Sequence, residues 1–150
     1  MPFSRRSLVA GSAVATAMLV AFIGCAGRAA PATALAPTCA SGDSALVRET
    51  LYFGRNRPDG GTVTDGEWQT FLDQVLTPRF PAGLTIVTAT GQWRGRSGTV
   101  EQERSHVVTV FHDAGDAARQ AIHEVTQEYK RRFQQEAVLR ERALTCAAFE

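Results

Sequence analysis

The chain has a single lysine, Lys130, and leaves the rest of its basic charge to arginine. It has three histidines (His106, His112, His123) and three cysteines (Cys25, Cys39, Cys146), with no CxxC pair. These scarcities exclude much. Sixteen basic and fifteen acidic residues give a formal net charge of +1, so no basic excess recommends nucleic acid as a partner. His106 and His112 can share one strand face, but no third ligand accompanies them, so no metal and no other cofactor is expected. No serine or cysteine stands in a nucleophile motif. Gly54 to Gly61, GRNRPDGG, lacks the Lys-Ser/Thr of a phosphate loop and reads as a turn-rich connection. The sequence thus leans away from an enzyme and leaves that question open.

A membrane span is missing too. The longest apolar stretch, Leu8 to Ile23, is diluted by Gly11, Ser12 and Thr16 and is too short to cross a bilayer. With Arg5 and Arg6 ahead of it, residues 1–24 read as a signal peptide, by the twin-arginine or the general route. The segment closes on Phe22-Ile23-Gly24-Cys25, which resembles the lipobox of bacterial lipoproteins, with Phe22 where leucine is usual. The resemblance implies that Cys25 is lipidated and becomes the new N-terminus. The expected partner is then a membrane, through that anchor: the outer membrane on its periplasmic side if the cell has one, since Ala26 is not the retaining aspartate. The alternative is a soluble secreted or periplasmic protein cut near Ala32-Thr33-Ala34. Residues 25–38 follow as the lipidated cysteine and an Ala/Pro-rich tether, and residues 39–150 as the globular domain. With Cys25 lipidated, Cys39 and Cys146 remain, one at each end of that domain in an oxidising compartment, and a disulfide between them is expected.

Within the domain, Ala45–Arg55 reads as a strand. Thr64 and Glu67 make a capping box ahead of a helix whose stripe is Trp68, Phe71, Leu72, Val75 and Leu76, stopped by Pro78 and Pro81. Leu84–Thr90 and Ser105–Phe111 read as strands, the second starting as early as Val100, with Gly91–Gly95, GQWRG, as the loop between them. A second helix runs from Asp116 to Gln135 with Ala118, Ile122, Val125, Tyr129 and Phe133 near one face, and Ala137–Phe149 is a last strand. The order βαββαβ predicts an α+β domain of ferredoxin-like type, an antiparallel sheet with two helices on one face. Its first and last strands are neighbours, which brings Cys39 beside Cys146.

LYFGRN, TDGEWQTFLDQVLTPRFPAGLTI, GQWRG, ERSHVV, YKRRFQQEAVL and CAAF together resemble a family of bacterial exported proteins classed as domain of unknown function 3574. The resemblance spans nearly all of the chain after Cys39. It implies one shared domain and no particular activity.

The topology sets Gly54-Arg55-Asn56 and Gln92-Trp93-Arg94 at one end of the sheet, where the third strand begins with Glu101 and Glu103 and the second helix ends with Tyr129, Arg132 and Gln135. Arg55, Gln92, Trp93, Arg94, Glu103 and Tyr129 are therefore the candidate ligand rim. Two readings stay open. In one, Trp93 plugs the core and Glu103 pairs with Arg55 or Arg94. In the other the rim is a cleft, whose arginine forks suit a small anionic ligand. An envelope protein, or a second copy of the chain docked on the open sheet face, is the macromolecular alternative. A small enzyme with a cavity near Arg55, Trp93 and Glu103 is the catalytic one.

Overall fold

The computed structural model describes residues 37–95 and 97–148. The signal segment, Cys25 and the tether up to residue 36 lie outside the described residues.

The capping box forms as the spacing requires. Thr64 Oγ1 accepts the Glu67 N–H at 3.2 Å, and Glu67 Oε2 accepts the Thr64 N–H at 2.9 Å. Helix α1 (Asp65–Phe71) starts there. It continues through a π-helical turn (Leu72–Leu76) into the short α2 (Thr77–Arg79). Pro78 therefore does not stop the helix as expected: it sits in α2, and the chain leaves helical geometry only at Phe80. A proline inside a helix has no N–H for the carbonyl four residues back, and the widened turn lies immediately ahead of it.

Strands β1 (Ser44–Gly54), β2 (Thr85–Arg94), β3 (Val100–His112) and β4 (Leu139–Ala147) form one sheet in the order β2-β3-β1-β4. Every pairing is antiparallel. The domain is thus a mixed α/β unit with a four-stranded antiparallel sheet. Its second long helix, α3, spans Asp116–Phe133 and ends on Gln134 in the left-handed conformation.

Strand alternation separates the two sheet faces. One carries Leu51, Phe53, Val108 and Val110, which are buried against Trp68, Phe71, Val75 and Leu76 and against Ile122, Val125, Tyr129 and Phe133 of α3. Aromatic rings dominate this core: Phe53 meets Tyr129 at 4.7 Å between centroids, and Phe71 meets Tyr129 at 5.1 Å. The other face, with Tyr52, Val87, Trp93, Phe111 and Leu139, has no helix over it among the described residues, and Val87 is 57% exposed.

GQWRG is not the loop expected from its glycines. Gly91 to Arg94 extend β2, paired with Glu103 to Val100. The turn falls later, around Gly98 with φ of 81°, whose N–H donates to Gly95 O at 3.0 Å. Gly91 has ordinary strand geometry; β3 is long enough to pair with it, and tertiary pairing overrides its low strand preference.

Cys39 and Cys146 are bridged, with Cα atoms 5.5 Å apart. Cys146 lies in β4 directly opposite Ala45 in β1, which is why the chain just ahead of β1 can reach it.

Candidate functional site

The cleft begins with a missing side chain. At Gly54, the last residue of β1, a Cβ would stand 2.5 Å from Glu103 Cδ. The Glu103 carboxylate occupies the space that any other residue there would fill. Its Oε1 accepts the Asn56 N–H at 2.9 Å. Asn56 is held in turn: its Nδ2 donates to Gln102 O at 3.1 Å, and its carbonyl accepts from Gln135 Nε2 at 2.6 Å. Tyr129 Oη, reaching through the sheet's helical side, donates to Gly54 O at 2.8 Å. Four segments thus converge where β1 ends.

On the uncovered face next to this knot, small residues make a depression. Gly54, Gly91 and Ser105 form its floor, with Glu101 and Glu103 rising from β3. Tyr52, Trp93 and Leu139 stand around it, and the segments 56–60 and 134–137 close its sides. The cleft holds about 540 Å³, within the range of small-molecule sites. Trp93 sits directly across the strand pair from Glu101 and is 42% exposed. It is not a plug of the core; that place belongs to Trp68.

The expected rim divides in two. Gln92, Trp93 and Glu103 line the cleft. Arg55, Arg94 and Tyr129 do not. Arg55 is buried on the helical side, where its Nε donates to Val63 O at 2.8 Å and its Nη2 lies 2.8 Å from Asp65. Arg94 Nη1 donates to Gly98 O at 2.7 Å and holds the β2–β3 turn. The physical reason is alternation: Arg94 follows Trp93 and faces the opposite side of the sheet. Tyr129 is a core residue, and burial pushes its phenol well above the ordinary range. Sequence reasoning missed Tyr52, Gly91, Ser105, Leu139 and Arg57. Their signal was period two: Tyr52 and Gly54 interleave with the core residues Leu51 and Phe53.

Electrostatically the cleft is acidic. Burial raises the Glu103 carboxyl above its ordinary value, with the neighbouring Glu101 charge adding to the effect and the Asn56 N–H opposing it. Among the described residues, no basic side chain forms an ion pair with Glu101 or Glu103. Arg57 lines the cleft, but its guanidinium is spent on the far side, 2.6 Å from Glu67 and 5.4 Å from the Phe133 ring centre. Among the described residues no group of three or more His, Cys, Asp or Glu is arranged to hold a metal.

Residues 48–149 match the model of a family described as a protein of unknown function, DUF3574. The chain belongs to this family. No curated protein matches it. The DUF3574 domain is similar in fold to a phage SAM lyase in complex with S-methyl-5'-thioadenosine, at 17% identity and a TM-score of 0.52, over 77% of this chain and 96% of the lyase. The same lyase in its apo state gives 15% and 0.51, over 76% and 96%. CutA from Synechococcus elongatus is more distant, at 10% and 0.46, over 71% of this chain and 87% of CutA. At such identities the likeness to the lyase concerns the fold of the DUF3574 domain alone.

Proposed function

We propose that this protein is an exported, lipid-anchored envelope protein whose ferredoxin-like domain binds a small ligand in the cleft beside Trp93. The strand order β2-β3-β1-β4, read from the other edge, is the order of a split βαβ sheet, with both helical stretches on one face. Export is supported by the signal-like first 24 residues and by the Cys39–Cys146 bridge, which suits an oxidising compartment. Anchoring rests on Cys25 after Phe22-Ile23-Gly24. The observation that carries the binding reading is the exposed Trp93 beside a partly buried carboxylate in a preformed concavity.

Two measurements test it. Cys25→Ser should move the protein from the membrane fraction to the soluble fraction; equal fractionation of both forms refutes the anchor. Native mass spectrometry of the protein taken from the envelope should show a bound small molecule that Trp93→Ala loses. A mass equal to the bare chain in both forms argues against the cleft.

A small enzyme is the second reading, favoured by Glu103, a carboxyl held in a cleft whose burial raises its pKa above the ordinary value. S-methyl-5'-thioadenosine, bound by the lyase of similar fold, is a reasonable first probe for it. A second copy docking on the uncovered face, through Val87 and Phe111, would cover the cleft rather than compete with either reading.

A further inference from the structure

We infer that the ligand of this cleft is a small organic cation, an ammonium-type group on an apolar body, held by Glu101 and Glu103 and flanked by the Trp93 ring. The inference rests on the ligand-binding reading above and adds the class of ligand.

Three observations carry it. First, Glu101 and Glu103 are alternate residues of β3 and therefore stand on the same face, roughly 7 Å apart along the strand. Both line the cleft, and the described arginines near it are engaged with other groups: Arg55 on Asp65, Arg57 on Glu67, Arg94 on the Gly98 carbonyl. Two like charges side by side are costly, and a guest cation removes that cost.

Second, the position of Glu103 is built. Gly54 leaves the space for its carboxylate, and the Asn56 N–H fixes one oxygen. The backbone N–H groups of Asn56 and, more weakly, Arg55 use only part of the carboxylate's acceptor capacity, so it can still accept from a guest. A carboxylate placed only to saturate a chain end would not need a neighbouring residue without a side chain.

Third, an aromatic ring stands next to the carboxylates. Trp93 pairs with Glu101 across the strands and is exposed to the cleft. The face of an indole attracts a cation, and it accepts the methyl or methylene groups around the charge as apolar contact. Tyr52 supplies a second ring at the other side of the floor. An anion would meet carboxylates, and the one described arginine that lines the cleft, Arg57, is engaged by Glu67, so the arginine-based expectation of an anionic guest gives way to the opposite sign.

The test is calorimetric titration of the processed, detergent-solubilised protein with tetramethylammonium, choline and putrescine. Acetate, inorganic phosphate and neutral phenol serve as the contrasting probes. At least one cation should bind, and Trp93→Ala and the pair Glu101→Gln with Glu103→Gln should each weaken it by about tenfold or more. Gln at 103 still accepts the Asn56 N–H, so the carboxylate variant keeps its local anchor; a melting temperature no lower than the wild type's checks this. Glu124→Gln, far from the cleft, should leave binding unchanged. An equal loss there would mean general electrostatics and would overturn the local site. If phosphate, acetate or phenol binds in a Trp93-dependent way and no cation does, the cation is overturned and the cleft stands. If no probe binds and native mass spectrometry retains nothing, both readings fall.

Discussion

The Trp68 indole lies flat against the His106 imidazole, with ring centroids 4.1 Å apart and planes 14° from parallel. His106 is buried, and neither of its ring nitrogens has a hydrogen-bond partner. Burial lowers its pKa from the ordinary 6.5, and the Arg55 charge adds to the lowering, while Asp65 opposes it. The folded state therefore prefers neutral imidazole. The stability that goes with it is present above pH 6.5 and is lost as pH falls through the lower folded value. Urea midpoints should fall across that window in the wild type and fall less in His106→Phe, which keeps the stack. Parallel decline of the two proteins would acquit His106.

The two tryptophans make opposite predictions. Trp68 is buried among Phe53, Phe71 and Tyr129, so Trp68→Ala should cost about 3–5 kcal/mol. Trp93 is exposed on the uncovered face, so Trp93→Ala should cost about 1 kcal/mol or less. Chemical denaturation of both variants decides; a large loss at Trp93 would restore it as a structural plug.

Gly54 and Glu103 should be energetically coupled. Gly54→Ala drives a methyl into the carboxylate and should displace Glu103 from the Asn56 N–H. Combining it with Glu103→Ala should recover part of the loss, a coupling of about 0.5–3 kcal/mol in a double-mutant cycle. Simple additivity would show that Glu103 moves away freely. Glu103→Gln alone carries a sign of its own. Because the folded state holds the Glu103 proton above its ordinary pKa of 4.5, its contribution is favourable below that value and is lost as pH rises through the folded one. The glutamine variant should therefore be the more stable protein at neutral pH, which suits a residue kept for binding.

Glu49 is fully buried in β1 and takes both hydrogen bonds of Arg140, at 2.7 and 2.5 Å, with Arg142 at 3.4 Å. Arg140→Ala removes both close bonds of a buried carboxylate, leaving it Arg142 at 3.4 Å, and should cost up to about 3–5 kcal/mol. Arg142→Ala should cost clearly less, since the two-pronged contact survives. Thermal melting that ranks the two variants in the reverse order would contradict this assignment.

Much of this was legible before any coordinates. The capping box, the Trp68–Leu76 stripe and the α3 face are local patterns, and local patterns survive into the fold. The strand neighbours followed from element order, and the disulfide from the two cysteines left beside a lipidated Cys25, a pairing that the element order independently brings together. What escaped was non-local or fell below the resolution of composition. GQWRG looked like a turn because two glycines are poor strand formers, yet β3 pairs with it. Arg55 and Arg94 were assigned to the rim because they are near it in sequence, but alternation sends each to the other side of the sheet. Glu49 was overlooked because a carboxylate in mid-strand has no signature until β4 brings Arg142 opposite it and Arg140 opposite Leu51, two register positions away on the same face.

The Cys39–Cys146 bridge also changes how the molecule carries load. The chain that leads to the proposed anchor joins the domain at Cys39, and Cys146 stands next to the last residue of β4. A tension applied between the segment ahead of Cys39 and the end of β4 passes between the cysteines through sulfur and bypasses all but the last pair of the sheet. The stretch between these two cysteines, which are 107 positions apart in sequence, hangs as a closed side loop, slack under that pull. A machine that threads the chain from either end must stall at the bridge or swallow two strands at once, until the bond is reduced.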